Sequence, residues 1–175
     1  MKTTLPHRLT MEVPMTASAG RSAAPGGIQL TPRSGKDFVN EVQVPWTPWV
    51  MPGTSFKLFC VNYQTGGFTM LLKIEPGADT RVYKHIGASE AFLLEGDIRC
   101  NEIDRGTAGD YFYKGGGVVD RPRTANGCIL FAMAHGPSVE LDPGGQVILS
   151  VDATTMMQLA RANRAHEHVA EVGKI

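Results

Sequence analysis

Gly77-Ala78-Asp79-Thr80-Arg81-Val82-Tyr83-Lys84-His85-Ile86-Gly87-Ala88-Ser89-Glu90-Ala91-Phe92-Leu93-Leu94-Glu95-Gly96 is the stretch whose reading decides the fold. It opens on the turn pair Pro76-Gly77 and runs extended through Tyr83 and His85. It turns at Ile86-Gly87-Ala88-Ser89 and returns as a strand from Glu90 to Leu94. Side chains alternate along a strand, so Tyr83 and His85, two residues apart, share one face. Glu90 opens the returning strand and is expected beside them. An imidazole, a carboxylate and a phenol converging there suit a metal cradle or an acid–base site.

Working outward, short strands recur at regular spacing, which predicts a sandwich or barrel. Phe56, Leu58 and Cys60 alternate with Lys57 and Phe59, and Phe68 to Ile74 follows the Gly66-Gly67 turn. Ile98, Cys100 and Glu102 alternate after Gly96, and Tyr111 to Tyr113 follow a turn at Gly106 to Gly109. Cys128 to Ala134 is apolar on both faces, as a central strand should be. Pro143-Gly144-Gly145 turns into Val147-Ile148-Leu149. From Asp152 the period changes to helical, with Asp152 or Thr154 as cap and Gly173 as stop. His166 and His168 are two apart and cannot chelate together from a helix, so both are read as solvated.

Residues 1–27 are rich in Ser, Thr, Ala, Gly and Pro without periodicity and read as a flexible amino-terminal arm. Ile28 to Thr31 is read as a short strand. The expected division is arm 1–27, β-barrel domain 28–151 and helix 152–175.

The stretch Gly77 to Gly96 resembles the first cupin motif, G-x5-H-x-H-x3-4-E-x6-G, with Gly77, His85, Glu90 and Gly96 in place. Tyr83 replaces the first histidine, and five residues rather than six separate Glu90 from Gly96. Gly109 to Asp120 resembles the second motif, with Gly109 and Gly117 in place. There Gly115 replaces the proline, Asp120 the metal histidine, and Thr124 the usual asparagine. Within cupins the chain is similar to the acetylacetone and 2,4'-dihydroxyacetophenone dioxygenases and to the ChrR-type cupin domain. Val44-Pro45-Trp46-Thr47-Pro48-Trp49, the His85 to Glu90 segment and Gly136-Pro137 before the Asp142-Pro143-Gly144-Gly145 turn carry that likeness. It implies an all-β, double-stranded β-helix (a jelly-roll barrel) followed by a carboxy-terminal helix.

The same resemblance implies a divalent metal held by His85, Glu90 and Asp120, Fe(II) for a dioxygenase, with Zn(II), Mn(II) or Ni(II) as other occupants. Tyr83 would be a ligand or proton donor. An inward guanidinium among Arg81, Arg99 and Arg121 would hold an enolate or carboxylate oxygen. Of these, Arg81 is taken with Tyr83 as the catalytic pair. His135, in phase with Ile129, Phe131 and Met133, is a further candidate ligand. Barrel packing is expected not to depend on Asp120. Three readings stay open: a dioxygenase cleaving a C–C bond of a small β-diketone or hydroxyaryl ketone, a non-catalytic cupin sensing a small molecule or zinc, and a metal-free isomerase. The bland alternative for His85 and Glu90 is a hydrogen bond to each other or to Tyr83.

Bulk properties narrow the partners. Seventeen basic and seventeen acidic side chains cancel in 175 residues, which gives no electrostatic ground for nucleic acid or an anionic membrane. No run of eighteen apolar residues spans a bilayer, and no secretory h-region is seen. Three widely spaced cysteines without C-x-x-C read as thiols of a reduced cytoplasm. The partners expected are a small-molecule substrate and a second copy of the chain. The homodimer rests on the arm, the helix and the Trp46-Trp49 segment, which otherwise reads as a clasp over the barrel end.

Overall fold

The structure, a computed structural model, describes residues 38–174; the predicted arm and the strand at Ile28 to Thr31 lie outside the described residues. After a 3-10 turn, Glu41–Gln43, come twelve strands and one helix. The strands are β1 Thr47–Pro48, β2 Thr54–Asn62, β3 Gly67–Ile74, β4 Val82–His85, β5 Ser89–Arg99 and β6 Arg105–Thr107. There follow β7 Tyr111–Lys114, β8 Val119–Asp120, β9 Cys128–Ala134, β10 Ser138–Leu141, β11 Val147–Val151 and β12 Ala170–Val172, with helix α1, Ala153–Ala162, before β12.

The larger sheet runs β1-β2-β3-β9-β5-β6, with β12 also on β2 and β7 also on β5. The smaller runs β11-β10-β4-β8. Two long strands carry the architecture because each takes two partners on one edge. β2 pairs with β1 near its start and with β12 near its end. β5 pairs with β7 through Ser89 to Phe92 and with β6 through Asp97 to Arg99. Each long strand shifts register once, β2 between Leu58 and Cys60 and β5 between Leu93 and Glu95. Such bulges bend a strand and raise its twist, which is how one strand serves two partners. Gly96 follows the bulge with φ +79°, and a Cβ there would collide with the Gly127 carbonyl oxygen. The motif glycine is therefore fixed by both conformation and a close backbone approach.

The core lies between the sheets. Phe56, Leu58, Phe68, Met70, Leu72, Ile74, Leu93, Ile98 and Leu130 come from the larger sheet, Tyr83 and Val151 from the smaller. As expected for a strand apolar on both faces, β9 is interior, between β3 and β5. This is a two-sheet jelly roll, the architecture that the resemblance implies.

The carboxy-terminal segment departs from expectation. Asp152 does cap α1, accepting from the Thr155 N–H at 2.9 Å, and Met156, Met157 and Ala160 are buried. The helix stops at Ala162, however, well short of Gly173, which is reached through Arg164 (φ +55°) and β12. The chain turns back because β2 offers an unpaired edge beyond β1, which β12 fills in parallel. His166 and His168 are consequently half-buried rather than solvated: the His168 Nε2 lies 2.8 Å from the Leu58 carbonyl oxygen. No helix among the described residues is long and apolar enough to cross a membrane.

Candidate functional site

The inner face of β4 is where the smaller sheet turns polar. Tyr83 is directly opposite Asp120 on β8 and Glu140 on β10, so three polar side chains meet across three strands. Facing them from the larger sheet are Ser89 and Lys114, themselves cross-strand partners on β5 and β7. Between the sheets lies a cavity of about 110 Å³. Its polar lining includes Tyr83, His85, Ser89, Lys114 and Asp120, and its apolar lining includes Trp49, Met70, Phe112 and Leu130. At about 30 Å³ per water, the space holds three or four waters or an organic molecule of a few heavy atoms.

His85 and Asp120 come together as expected. The His85 Nε2 lies 3.7 Å from Asp120 Oδ1, and its Nδ1 3.2 Å from the Ser89 hydroxyl. The third partner is Lys114, whose Nζ lies 3.5 Å from Asp120 Oδ2 and 3.6 Å from Asp104. Side chains of Lys114 and Asp120 are 10% and 7% exposed, so this ion pair is inside the protein. Burial works against the ammonium, but the neighbouring Cys100, Asp120 and Asp104 outweigh it and hold the Lys114 pKa above its ordinary value. Cys100 is pushed up to about 11, chiefly by burial and then by Asp120. At neutral pH Cys100 is therefore a neutral thiol and Lys114 an ammonium, set beside Asp120 and His85.

Tyr83 stacks against Trp49, with ring centroids 6.1 Å apart. Its hydroxyl donates to Glu140 at 3.3 Å, and burial followed by the Glu140 charge raises its pKa well above that of a free phenol. Glu140 is fully buried and is held from the other side by Arg81. Arg81 is thus engaged with Glu140 and does not line the cavity. Arg121 pairs with Asp79 and the Thr80 carbonyl, and Arg99 lies on the outer side near Glu102. None of the three expected guanidiniums enters the cavity.

Glu90 is one residue out of phase. Ser89, Ala91 and Leu93 point inward; Glu90 reaches the cavity lining at its rim but turns its carboxylate toward Tyr111 and His135. There it accepts from the Tyr111 hydroxyl at 2.7 Å and lies 2.6 Å from His135 Nε2. His135 does share a face with Ile129, Phe131 and Met133, and of these only Met133 reaches the cavity lining; Cys128 and Leu130 are buried, and Leu130, Ala132 and Ala134 line the cavity. The two expected metal ligands Glu90 and His135 therefore pair with each other, and His85 pairs instead with Asp120 and Ser89. Asp120, expected to be dispensable to packing, is instead the buried counter-ion of Lys114.

Lys114, Ser89, Cys100 and Glu140 were missed by motif reading. Strand period would have found three of them, since Lys114 is in phase with Phe112, Cys100 with Ile98 and Glu140 with Ser138.

A model of the ChrR cupin-like domain matches residues 34–139. The chain belongs to the ChrR-like cupin family. No curated protein sequence matches it. Among solved structures it is similar to a cupin-like protein from Ralstonia eutropha at 18% identity, with TM-score 0.72, over 83% of this chain and 98% of that one. It is also similar to an acetylacetone dioxygenase from Acinetobacter johnsonii (17% identity, TM-score 0.67, 75% and 95% covered). A putative acetylacetone dioxygenase from Methylibium petroleiphilum gives 21% identity and TM-score 0.67 over 74% and 97%. At these identities the likeness is one of fold.

Cupins commonly hold a divalent metal between these motifs. The residues present in this cupin do not fit one. Among the described residues no three His, Cys, Asp or Glu side chains converge. Beside Asp120, where a cation would neutralise the carboxylate, an ammonium already does so. His85 and Asp120 form one donor pair and Glu90 and His135 another, and among the described residues neither pair gains a third donor.

Proposed function

We propose that this cupin binds a small, largely apolar organic molecule carrying one carbonyl or carboxylate group, without a resident metal, as a ligand-sensing domain. The observation that carries the reading is the buried Lys114–Asp120 pair on the wall of a mostly apolar cavity. An ammonium oriented by a carboxylate offers a charged donor to an acceptor atom in a largely apolar pocket, where such a contact is strong. His85, steadied by Ser89, supplies a second polar contact. Trp49 adds support: it lines the cavity and its indole N–H is buried with no acceptor among the described residues. A ligand oxygen would satisfy it. Tyr83 keeps its proton at neutral pH and so orients Glu140 rather than serving as a base.

The second reading, a dioxygenase for a small β-diketone, is favoured by the His85–Asp120 pair in a cavity of suitable size. One experiment separates the two. Purified protein is incubated with Fe(II), Mn(II), Ni(II) or Zn(II), desalted, and assayed for metal content, oxygen uptake with acetylacetone, and thermal stabilisation by small ketones and carboxylates. Our reading expects no stoichiometric metal, no oxygen uptake, and ligand stabilisation that Lys114→Gln removes. One metal per chain lost in His85→Ala, with oxygen consumption, would establish the dioxygenase instead. We extend the proposal to a homodimer on the sequence grounds above; light scattering from a concentration-independent monomer would overturn that part.

A further inference from the structure

The second concave feature lies on the outer side of the β5–β6 hairpin. It is a groove of about 720 Å³ whose lining includes Arg99, Arg105, Arg123, Asp97 and Asp110. Its arginines are in register. Arg99 on β5 pairs directly with Arg105 on β6, and on its other side it bridges Arg123. The Arg99 and Arg123 backbones exchange both hydrogen bonds at 2.8 Å. Directly paired residues project to the same face, roughly 5 Å apart, so three guanidiniums form one row across three chain segments.

Like charges set opposite each other destabilise a sheet. Little in the protein relieves them here. Glu102 approaches Arg99 only to 3.8 Å and is itself 88% exposed, a weak contact in water. Arg105 and Arg123 form no ion pair among the described residues. Asp97 is turned to the backbone N–H groups of Ala125 and Asn126 and to the Asn126 side chain, and Asp110 to the Thr107 N–H. Both carboxylates are thus engaged as loop caps at one end of the groove, leaving the arginine row at the other. Gly106 and Ala125 keep side-chain bulk off the lining.

We propose that the Arg105–Arg99–Arg123 row binds the diphosphate or triphosphate group of a small molecule. Each guanidinium carries five N–H donors in a planar fork, and three in a row exceed what one carboxylate can accept. A chain of phosphates presents several oxygens in line, each able to take a forked contact, and its charge removes the repulsion within the row. The site is separate from the inner cavity and does not depend on what that cavity binds.

The test is calorimetric titration of the full chain with sodium pyrophosphate and tripolyphosphate, paired with thermal melting. Tripolyphosphate is expected to bind, to raise the melting temperature, and to bind more weakly as salt rises from about 50 to 200 mM. Arg99→Gln is expected to weaken binding at least about tenfold, the loss of charge-assisted hydrogen bonds. The same change is expected to raise the melting temperature of the ligand-free protein. Arg105→Gln, on the edge strand, gives the binding result even where Arg99→Gln folds poorly. Arg121→Gln, paired with Asp79 outside the row, is expected to bind like wild type. Absence of binding by either phosphate, an equal loss in Arg121→Gln, or tighter competition by a short oligonucleotide than by tripolyphosphate would overturn the proposal.

Discussion

The two sides of strand β5 differ by one residue of register and by nearly everything else. Ser89 looks inward at His85, Asp120 and Lys114; Glu90 looks outward at Tyr111 and His135. Both clusters contain an imidazole and a carboxylate within 4 Å. Inside, the side chains are largely removed from water; outside, His135 is 51% and Glu90 27% exposed. The same chemical groups therefore carry different consequences. A buried charge without its partner is expensive, and an exposed one is rehydrated. Residue type nominated both clusters, and burial decides which of them can hold a ligand.

The sharpest way to break this contrast is to remove one carboxylate from each side. Asp120→Ala strands the Lys114 ammonium with only the exposed Asp104 nearby, and is expected to cost roughly 3 kcal/mol of stability. Urea unfolding measures it. Adding Lys114→Met should restore much of the loss, because the stranded charge goes too. Asp120→Ala with wild-type stability would mean that the pair is solvated and the inner cluster no different from the outer.

A smaller effect should appear at alkaline pH. Burial lifts the Cys100 thiol to about 11 from an ordinary 9.0. Between those values the unfolded thiol ionises while the folded one keeps its proton, so the native state binds more protons. Its contribution is complete below pH 9 and is lost as pH rises through the folded value near 11. Cys100→Val should remove that share of the alkaline decline, leaving the share of Cys128, lifted by burial to about 12. Rapid thiol labelling of Cys100 at pH 8 would contradict its burial.

Much of the fold was legible because strand alternation and turn glycines are local signals. Gly77 and Gly96, the interior strand Cys128–Ala134 and the Asp152 cap were found where expected. The site was less legible because alternation gives the relative phase of side chains without saying which phase faces the core. On β9 the bulky Ile129 and Phe131 lie outside the cavity lining, while Ala132 and Ala134 face the cavity that their small size helps leave open. Motif spacing failed at Glu90 for the same reason, since a four-residue gap from His85 lands one position past the inward Ser89. The return of β12 left little trace, because three residues pairing with a strand a hundred positions earlier have no periodicity of their own.

The smallest expected effect is on the outer side. Glu90→Gln keeps the shape of the carboxylate and a carbonyl acceptor for Tyr111, and the site is open to water, so the neutral-pH melting temperature should barely move. Acid titration still distinguishes it. The Tyr111 hydrogen bond, then the His135 hydrogen bond, hold the Glu90 pKa below the ordinary 4.5. A depressed carboxylate gives stability that is complete above the unfolded value and lost as pH falls through the folded one. Glu90→Gln should therefore flatten a small part of the decline below pH 4.5 and, with the carboxylate turned to Tyr111 and His135, weaken ligand binding far less than Lys114→Gln. If it abolished ligand stabilisation instead, the Glu90 carboxylate would be turned into the cavity whose rim it lines, and the separation of the two faces of β5 would be wrong.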